Sequence, residues 1–157
     1  MPHETDQGRY LEDYAEGEVI VSRSYKLSRR EIVAFAEAYD PQPIHIDETF
    51  ASAHGPYGGL IASGFQTIAL AFKLFAESGF FDGGVSLGGP AMDDVRWQLP
   101  ACPDDILTNR ITVAQVRRSN SKPDRGILVL AHDLRNQSGD SVATFKTTTF
   151  IKARGPA

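Results

Sequence analysis

The sequence predicts an α+β fold in which a curved antiparallel sheet wraps one long central helix. Two observations carry this reading. Residues 64–78 are apolar around most of a helical circumference, with Gln66, Lys73 and Glu77 forming one narrow polar stripe, and a helix of that kind is buried on nearly all sides. Residues 92–153 hold four segments of strand character. Together they can enclose a helix roughly 22 Å long at about 1.5 Å per residue.

Residues 1–8 are polar and read as a mobile N-terminal tail ahead of a single domain, 9–153. Residues 18–27 read as a first strand. Ser28-Arg29-Arg30-Glu31 is a capping-box pattern that opens a helix to about Tyr39, with Ile32, Val33, Phe35 and Ala36 as its apolar stripe. That helix must end before Pro41, because a residue preceding proline is biased away from helical dihedrals. Asp40 therefore falls just past the helix C-terminus, where the dipole disfavours a carboxylate. Ser63 followed three residues later by Gln66 is another capping box and sets the start of the central helix. Gly79 is suited to end it. The strands are expected at 92–99, 106–117, 126–135 and 142–153, with Asn136-Gln137-Ser138-Gly139-Asp140 turning the last two into a hairpin. In the final strand Ala143, Phe145, Thr147, Thr149 and Ile151 alternate on one face.

At 157 residues the chain is close to one domain and large enough for a real core. Its net charge of −4, with signs interspersed, gives no basic field for nucleic acid. A lone cysteine, Cys102, excludes an intrachain disulfide and offers no cluster for zinc. The longest apolar stretch is interrupted by Lys73 and Glu77 and is too short to span a bilayer. Residues 1–8 lack an apolar signal region, so a cytoplasmic location without a membrane partner is expected. Asn136-Gln137-Ser138 matches a glycosylation acceptor, which is read as chance in the absence of a secretion signal.

The chemistry is concentrated in Asp40-Pro41-Gln42-Pro43-Ile44-His45. An extended segment would hold the carboxylate and the imidazole roughly 15 Å apart, at about 3.1 Å per residue. One water could not touch both. In a turn the pair can converge on a single water, as general acid–base chemistry requires. The two prolines predict a rigid non-helical loop here. Spacing alone is equally compatible with Asp40 as a helix-end cap and His45 as an ordinary loop histidine. With Ser63 capping the second or third helical amide, the amide of Gly64 is left free. At a helix N-terminus such an amide suits a developing oxyanion. The alternative is that Gly64 only relieves crowding where two elements cross.

Asp40 to His45 resembles the D-x-N-P-x-H signature of the MaoC-like dehydratases and (R)-specific enoyl-CoA hydratases. The resemblance continues through Asp47-Glu48-Thr49-Phe50-Ala51 and the glycine-rich Gly58 to Gly64. It spans about residues 9–152 and is specific over 40–67. It implies a hot-dog fold and reversible hydration of an acyl-CoA thioester. Matched residue by residue, it gives Asp40 and His45 as the water-holding pair and the Gly64 amide as the oxyanion donor. His45 would act as base, while Asp40 holds the water and passes a proton to the α-carbon; the sequence does not decide how the two divide these steps. Gln42 stands where the family usually has asparagine, and Ser63 where many members have histidine. Gln42, Ser63 and Gly59 are expected beside the substrate. Lys122 and Arg125, in the polar loop 119–126, can pair with coenzyme A phosphates, although a plain solvated hairpin explains them as well. No metal and no cofactor is implied beyond coenzyme A as the substrate's carrier. A homodimer or higher homo-oligomer is expected, because a single such sheet leaves an edge and a face to cover.

Other candidates have structural readings. His54 lies in the loop before Gly58, His132 reads as a hydrogen-bonded core histidine, and His3 falls in the tail. Asp93, Asp94, Asp104 and Asp105 lack a nearby histidine. Trp97, Phe72, Phe75, Phe80 and Phe81 can line an acyl tunnel or pack the core. A hot-dog thioesterase would need a carboxylate on or near the central helix, where only Glu77 is available, near the far end. A non-catalytic acyl-thioester binding protein would keep the tunnel without needing both Asp40 and His45.

Overall fold

The computed structural model describes residues 8–155. Six strands, β1 (Val19–Val21), β2 (Tyr25–Lys26), β3 (Ala91–Trp97), β4 (Ile106–Arg118), β5 (Arg125–Arg135) and β6 (Ser141–Lys152), build one sheet. Its order is β1-β4-β5-β6-β3, with β2 also on β4, and every pairing is antiparallel. Four helices precede β3: α1 (Arg29–Tyr39), α2 (Pro43–Ile46), α3 (Glu48–His54) and α4 (Gly64–Phe75). The α+β architecture with a long helix enclosed by the sheet is the predicted one.

Helix α4 forms where the apolar stripe demanded it. Leu70, Ala71, Leu74 and Phe75 are buried against Leu107, Ile111, Leu130, Leu134 and Phe145 of the sheet. The helix ends earlier than expected, with a wider turn over Ala76–Phe80 in which Gly79 takes φ +87°. At α1 the predicted capping box is formed: Ser28 Oγ accepts from the amide of Glu31, and the Glu31 carboxylate accepts from that of Ser28. At α4 only half of it exists. Ser63 Oγ accepts from the Phe65 amide at 3.2 Å, but Gln66 is buried and turns its side-chain amide to the Glu31 carbonyl at 3.1 Å. Gln66 thus ties α4 to α1 instead of closing its own cap.

Two other expectations change. The single first strand is two, because the register against β4 shifts by one residue between Val21↔Arg110 and Tyr25↔Leu107. Ser22 fills the break by accepting the Asn109 amide on its side chain at 2.9 Å, as at a bulge. The expected non-helical loop contains a helical turn, α2, with Pro43 at its first position and Gln42 extended as its N-cap. Proline restricts only its predecessor and is well tolerated at a first helical position. The expected tail, with His3, lies outside the described residues except for Gly8, which is buried with no room for a Cβ against Val85.

His132 is a core histidine. The Asn109 side-chain amide donates to its Nδ1 at 3.1 Å, so Nε2 carries the proton and donates to Thr147 Oγ1 at 2.9 Å. Its ring stacks on Phe145. Burial lowers its pKa to about 4 from the ordinary 6.5. The unfolded chain therefore binds this proton at a higher pH than the folded one, and the associated stability, present above pH 6.5, is lost as pH falls towards 4. The loss is up to about 3 kcal/mol. Urea unfolding across that window is expected to show this slope, and His132→Gln should flatten it whatever its effect on stability at neutral pH.

Candidate active site

The C-terminus of α1, the turn α2 and the first turn of α4 meet at one place. Asp40 is the C-cap of α1. From there the chain folds back: the Gln42 amide donates to the Asp40 carbonyl at 2.7 Å, and the His45 amide to the Gln42 carbonyl at 2.9 Å. This bend brings His45 Nε2 to 3.4 Å from Asp40 Oδ2. The residues before α4 are held alongside by the Ile61 amide on the Ile44 carbonyl (3.3 Å) and the Ala62 amide on the Ala101 carbonyl (2.8 Å).

The hydrogen bonds orient each group. His45 is buried, and its Nδ1 lies 2.7 Å from the Ile61 carbonyl oxygen. A carbonyl only accepts, so Nδ1 carries a proton, and in the neutral imidazole Nε2 then presents a lone pair. Asp40 Oδ2 accepts from Ser63 Oγ at 2.6 Å and Oδ1 from Gln42 Nε2 at 2.7 Å. The Ser63 hydroxyl and the Gln42 amide hold the Asp40 carboxyl below the usual carboxylate range, against the opposing effect of desolvation. With the imidazole neutral, Nε2 and Oδ2 are adjacent acceptors. Two acceptors do not bond to each other; a water, with two protons to give, can satisfy both.

Asp40, Gln42, His45 and Gly64 line one cavity of about 400 Å³. Among the described residues the Gly64 amide has no protein acceptor, because Ser63 caps the Phe65 amide instead. Crowding operates here as well. A Cβ at Gly64 would lie 2.7 Å from the Trp97 ring, whose Nε1 donates to the Gly64 carbonyl at 3.0 Å. Glycine is required by the indole on one side and leaves an amide unclaimed. The cavity is completed by Tyr57, Phe65, Thr67 and residues 98–101. Residues 98–101 come from the β3–β4 connection, and no local pattern marks them as part of a site. Phe65 and Trp97 also wall an adjoining apolar groove of about 480 Å³ with Ile68, Phe72, Met92 and Val95.

Several expected residues lie elsewhere. Ser63 is fully buried behind Asp40, with its hydroxyl committed, and does not face the cavity as a substrate contact. Gly59 is not among the cavity's lining residues. Lys122 and Arg125 sit at the β4–β5 hairpin, and Arg125 pairs with its neighbour Asp124. The 13 residues of β4 separate that hairpin from the cavity end, roughly 40 Å of strand, so neither cation reaches the site of its own subunit. Phe75 and Phe80 are core residues; Phe72 and Trp97 are not. His54 ends α3 against Phe50, away from the cavity. Asp94 and Asp104 pair with Lys146 and Lys26, and Asp105 accepts from the Cys102 amide.

A family model described as MaoC-like domain matches residues 12–131. The chain is 35% identical over 143 residues to YdeM, an uncharacterized protein of Bacillus subtilis (strain 168), covering 90% of this chain and 98% of that one. It is similar to the crystal structure of the MaoC-like dehydratase from Rhodospirillum rubrum, with 34% identity, a TM-score of 0.86 and coverage of 95% and 100% of the two chains. It also shares its fold with unliganded R-hydratase PhaJ1 from Pseudomonas aeruginosa, at 18% identity and a TM-score of 0.73 over 92% and 86%. No helix among the described residues is long and apolar enough to cross a membrane.

Gly64→Ala should destabilise the protein by about 1–3 kcal/mol through overpacking. Removal of the indole with Trp97→Leu should cancel most of that increment in a double-mutant cycle, measured by urea unfolding. As the chain's one tryptophan, Trp97 should also report the Gly64→Ala displacement by its fluorescence.

Proposed function

The chain belongs to the MaoC-like family, and we propose that it catalyses reversible syn addition of water to a trans-2-enoyl-CoA, giving the (R)-3-hydroxyacyl thioester. The observation that carries this reading is that an imidazole nitrogen not claimed by the backbone, a carboxylate held below its usual pKa range and an unclaimed amide share one cavity. A water held by Nε2 and Oδ2 gives a proton to His45 Nε2 while its oxygen bonds to the β-carbon. The π electrons move into an enolate, whose oxygen accepts from the Gly64 amide. The proton on Nε2 then passes to the α-carbon on the same face and the carbonyl reforms, so that one water is added and both side chains return to their starting states. Asp40, kept ionised, aims the water and stabilises the imidazolium; it has no proton of its own to give at rest. A single oxyanion donor such as the Gly64 amide typically contributes about 2.7–4 kcal/mol, so the backbone rivals either side chain.

The adjoining groove, walled by Ile68, Phe72, Met92 and Val95, supports an acyl tail. Among the described residues strand β3 pairs only with β6, leaving an exposed edge on which Met92 and Trp97 lie open, with Leu99 just past its end and Phe65 and Phe72 of α4 also exposed. Unpaired apolar edges are templates for association, and we assign this face to a homodimer contact. The thioesterase reading gains no support, because Glu77 is held by Arg23 and Lys73 and does not line the cavity.

Crotonyl-CoA should lose its enoyl-thioester ultraviolet absorbance with the protein present, without release of free thiol. Thiol release would indicate hydrolysis, and neither change would favour a binding protein. Asp40→Ala and His45→Ala should each lower hydration by about 100-fold or more with unchanged circular dichroism; full activity in either removes the mechanism. Light scattering should give twice the chain mass, and a monomer would remove the proposed interface.

A further inference from the structure

Ser63 is a buried polar side chain beside the site that the hydration steps leave without a task. It is 0% exposed, so it meets neither solvent nor substrate. Its Oγ lies 3.2 Å from the Phe65 amide nitrogen and 2.6 Å from Asp40 Oδ2. The directions of both bonds are fixed. An amide only donates and an ionised carboxylate only accepts, so Phe65 N–H donates to Ser63, and Ser63 donates its single proton to Asp40. A hydroxyl that accepts from a helix N-terminal amide is polarised towards donation. The first turn of α4 therefore supplies two things at once, a free amide at Gly64 and a strengthened donor to the carboxylate. With Gln42 on Oδ1, Asp40 is gripped at both oxygens, and Oδ2 faces His45 Nε2.

We propose that Ser63 is a positioning residue for the hydration, acting through Asp40: it links the first turn of α4 to the carboxylate, keeping it ionised and aimed at the water shared with His45. The proposal rests on the hydratase reading of the site. The groups that face Asp40 are Ser63 from α4, Gln42 from the bend and the His45 imidazole from α2. A hydroxyl donor thus holds Asp40 without adding a further charge.

The test follows the Asp40 carboxyl by NMR titration in the substrate-free protein, alongside crotonyl-CoA kinetics. Ser63→Ala should raise the Asp40 midpoint and lower kcat by about tenfold to a hundredfold with KM within about twofold. Ser63→Thr, which keeps the hydroxyl, should restore both. Ser63→Gly removes the hydroxyl while retaining most of the N-cap preference, so it should behave like Ser63→Ala even if the alanine variant folds poorly. An Asp40 midpoint unmoved in both hydroxyl-free variants overturns the inference, as does an effect confined to KM. If the wild-type protein does not hydrate crotonyl-CoA, the hydratase reading fails on its own, and the titration still decides whether Ser63 governs the carboxylate.

Discussion

A helix that is apolar on nearly every side has to be enclosed, and the enclosure of α4 is the constraint on which the rest of the structure depends. Leu70, Ala71, Leu74 and Phe75 can leave water only if β4, β5 and β6 curve around them. Once they do, the helix N-terminus emerges at one rim of the sheet, beside the β3–β4 connection. Everything polar at the site is hung on that rim. Gln66 fastens α4 to α1, the Ala62 amide fastens the approach to Ala101, and Trp97 sits on Gly64.

The electrostatics of the site follow from that placement. An isolated carboxylate at the C-terminal end of α1 would face carbonyl dipoles of its own sign. Asp40 instead turns its oxygens towards the N-terminal end of α4, where Ser63 donates to it, and towards the side chain of Gln42. The unfavourable position in α1 is offset by a favourable one beside α4. His45 is fixed by the opposite device, a carbonyl that accepts from its Nδ1 and so turns Nε2 towards Asp40. Backbone and neighbours orient both side chains.

Gly64 serves packing and polarity together. Crowding where two elements cross and a free amide are the alternatives that the sequence leaves for Gly64, and the structure contains both, with Trp97 as the crowding group. The indole approaches on the side where a Cβ would stand, while the amide is left over because Ser63 caps the next residue. A glycine kept for packing thus provides the unpaired donor that the chemistry can use.

Local periodicity and capping chemistry made much legible in advance: the enclosed helix, the α1 capping box, the four long strands and the alternation of Ala143 to Ile151 all follow from forces between near neighbours in the chain. The Asp40–His45 pair was legible as a candidate because its residues are close in sequence. What stayed hidden depends on contacts across many residues. The split at Ser22 is dictated by Asn109, and the broken cap at Gln66 by the Glu31 carbonyl. The position of Ser63 behind the site is set by Asp40, and the remoteness of Lys122 and Arg125 by the length of β4. The sequence by itself determined which segments could be helix or strand and which residues carried reactive groups. Only the tertiary structure decided which of those groups meet, because a sheet wrapped round a helix brings residues 40, 45, 64 and 97 together through packing that no local pattern encodes.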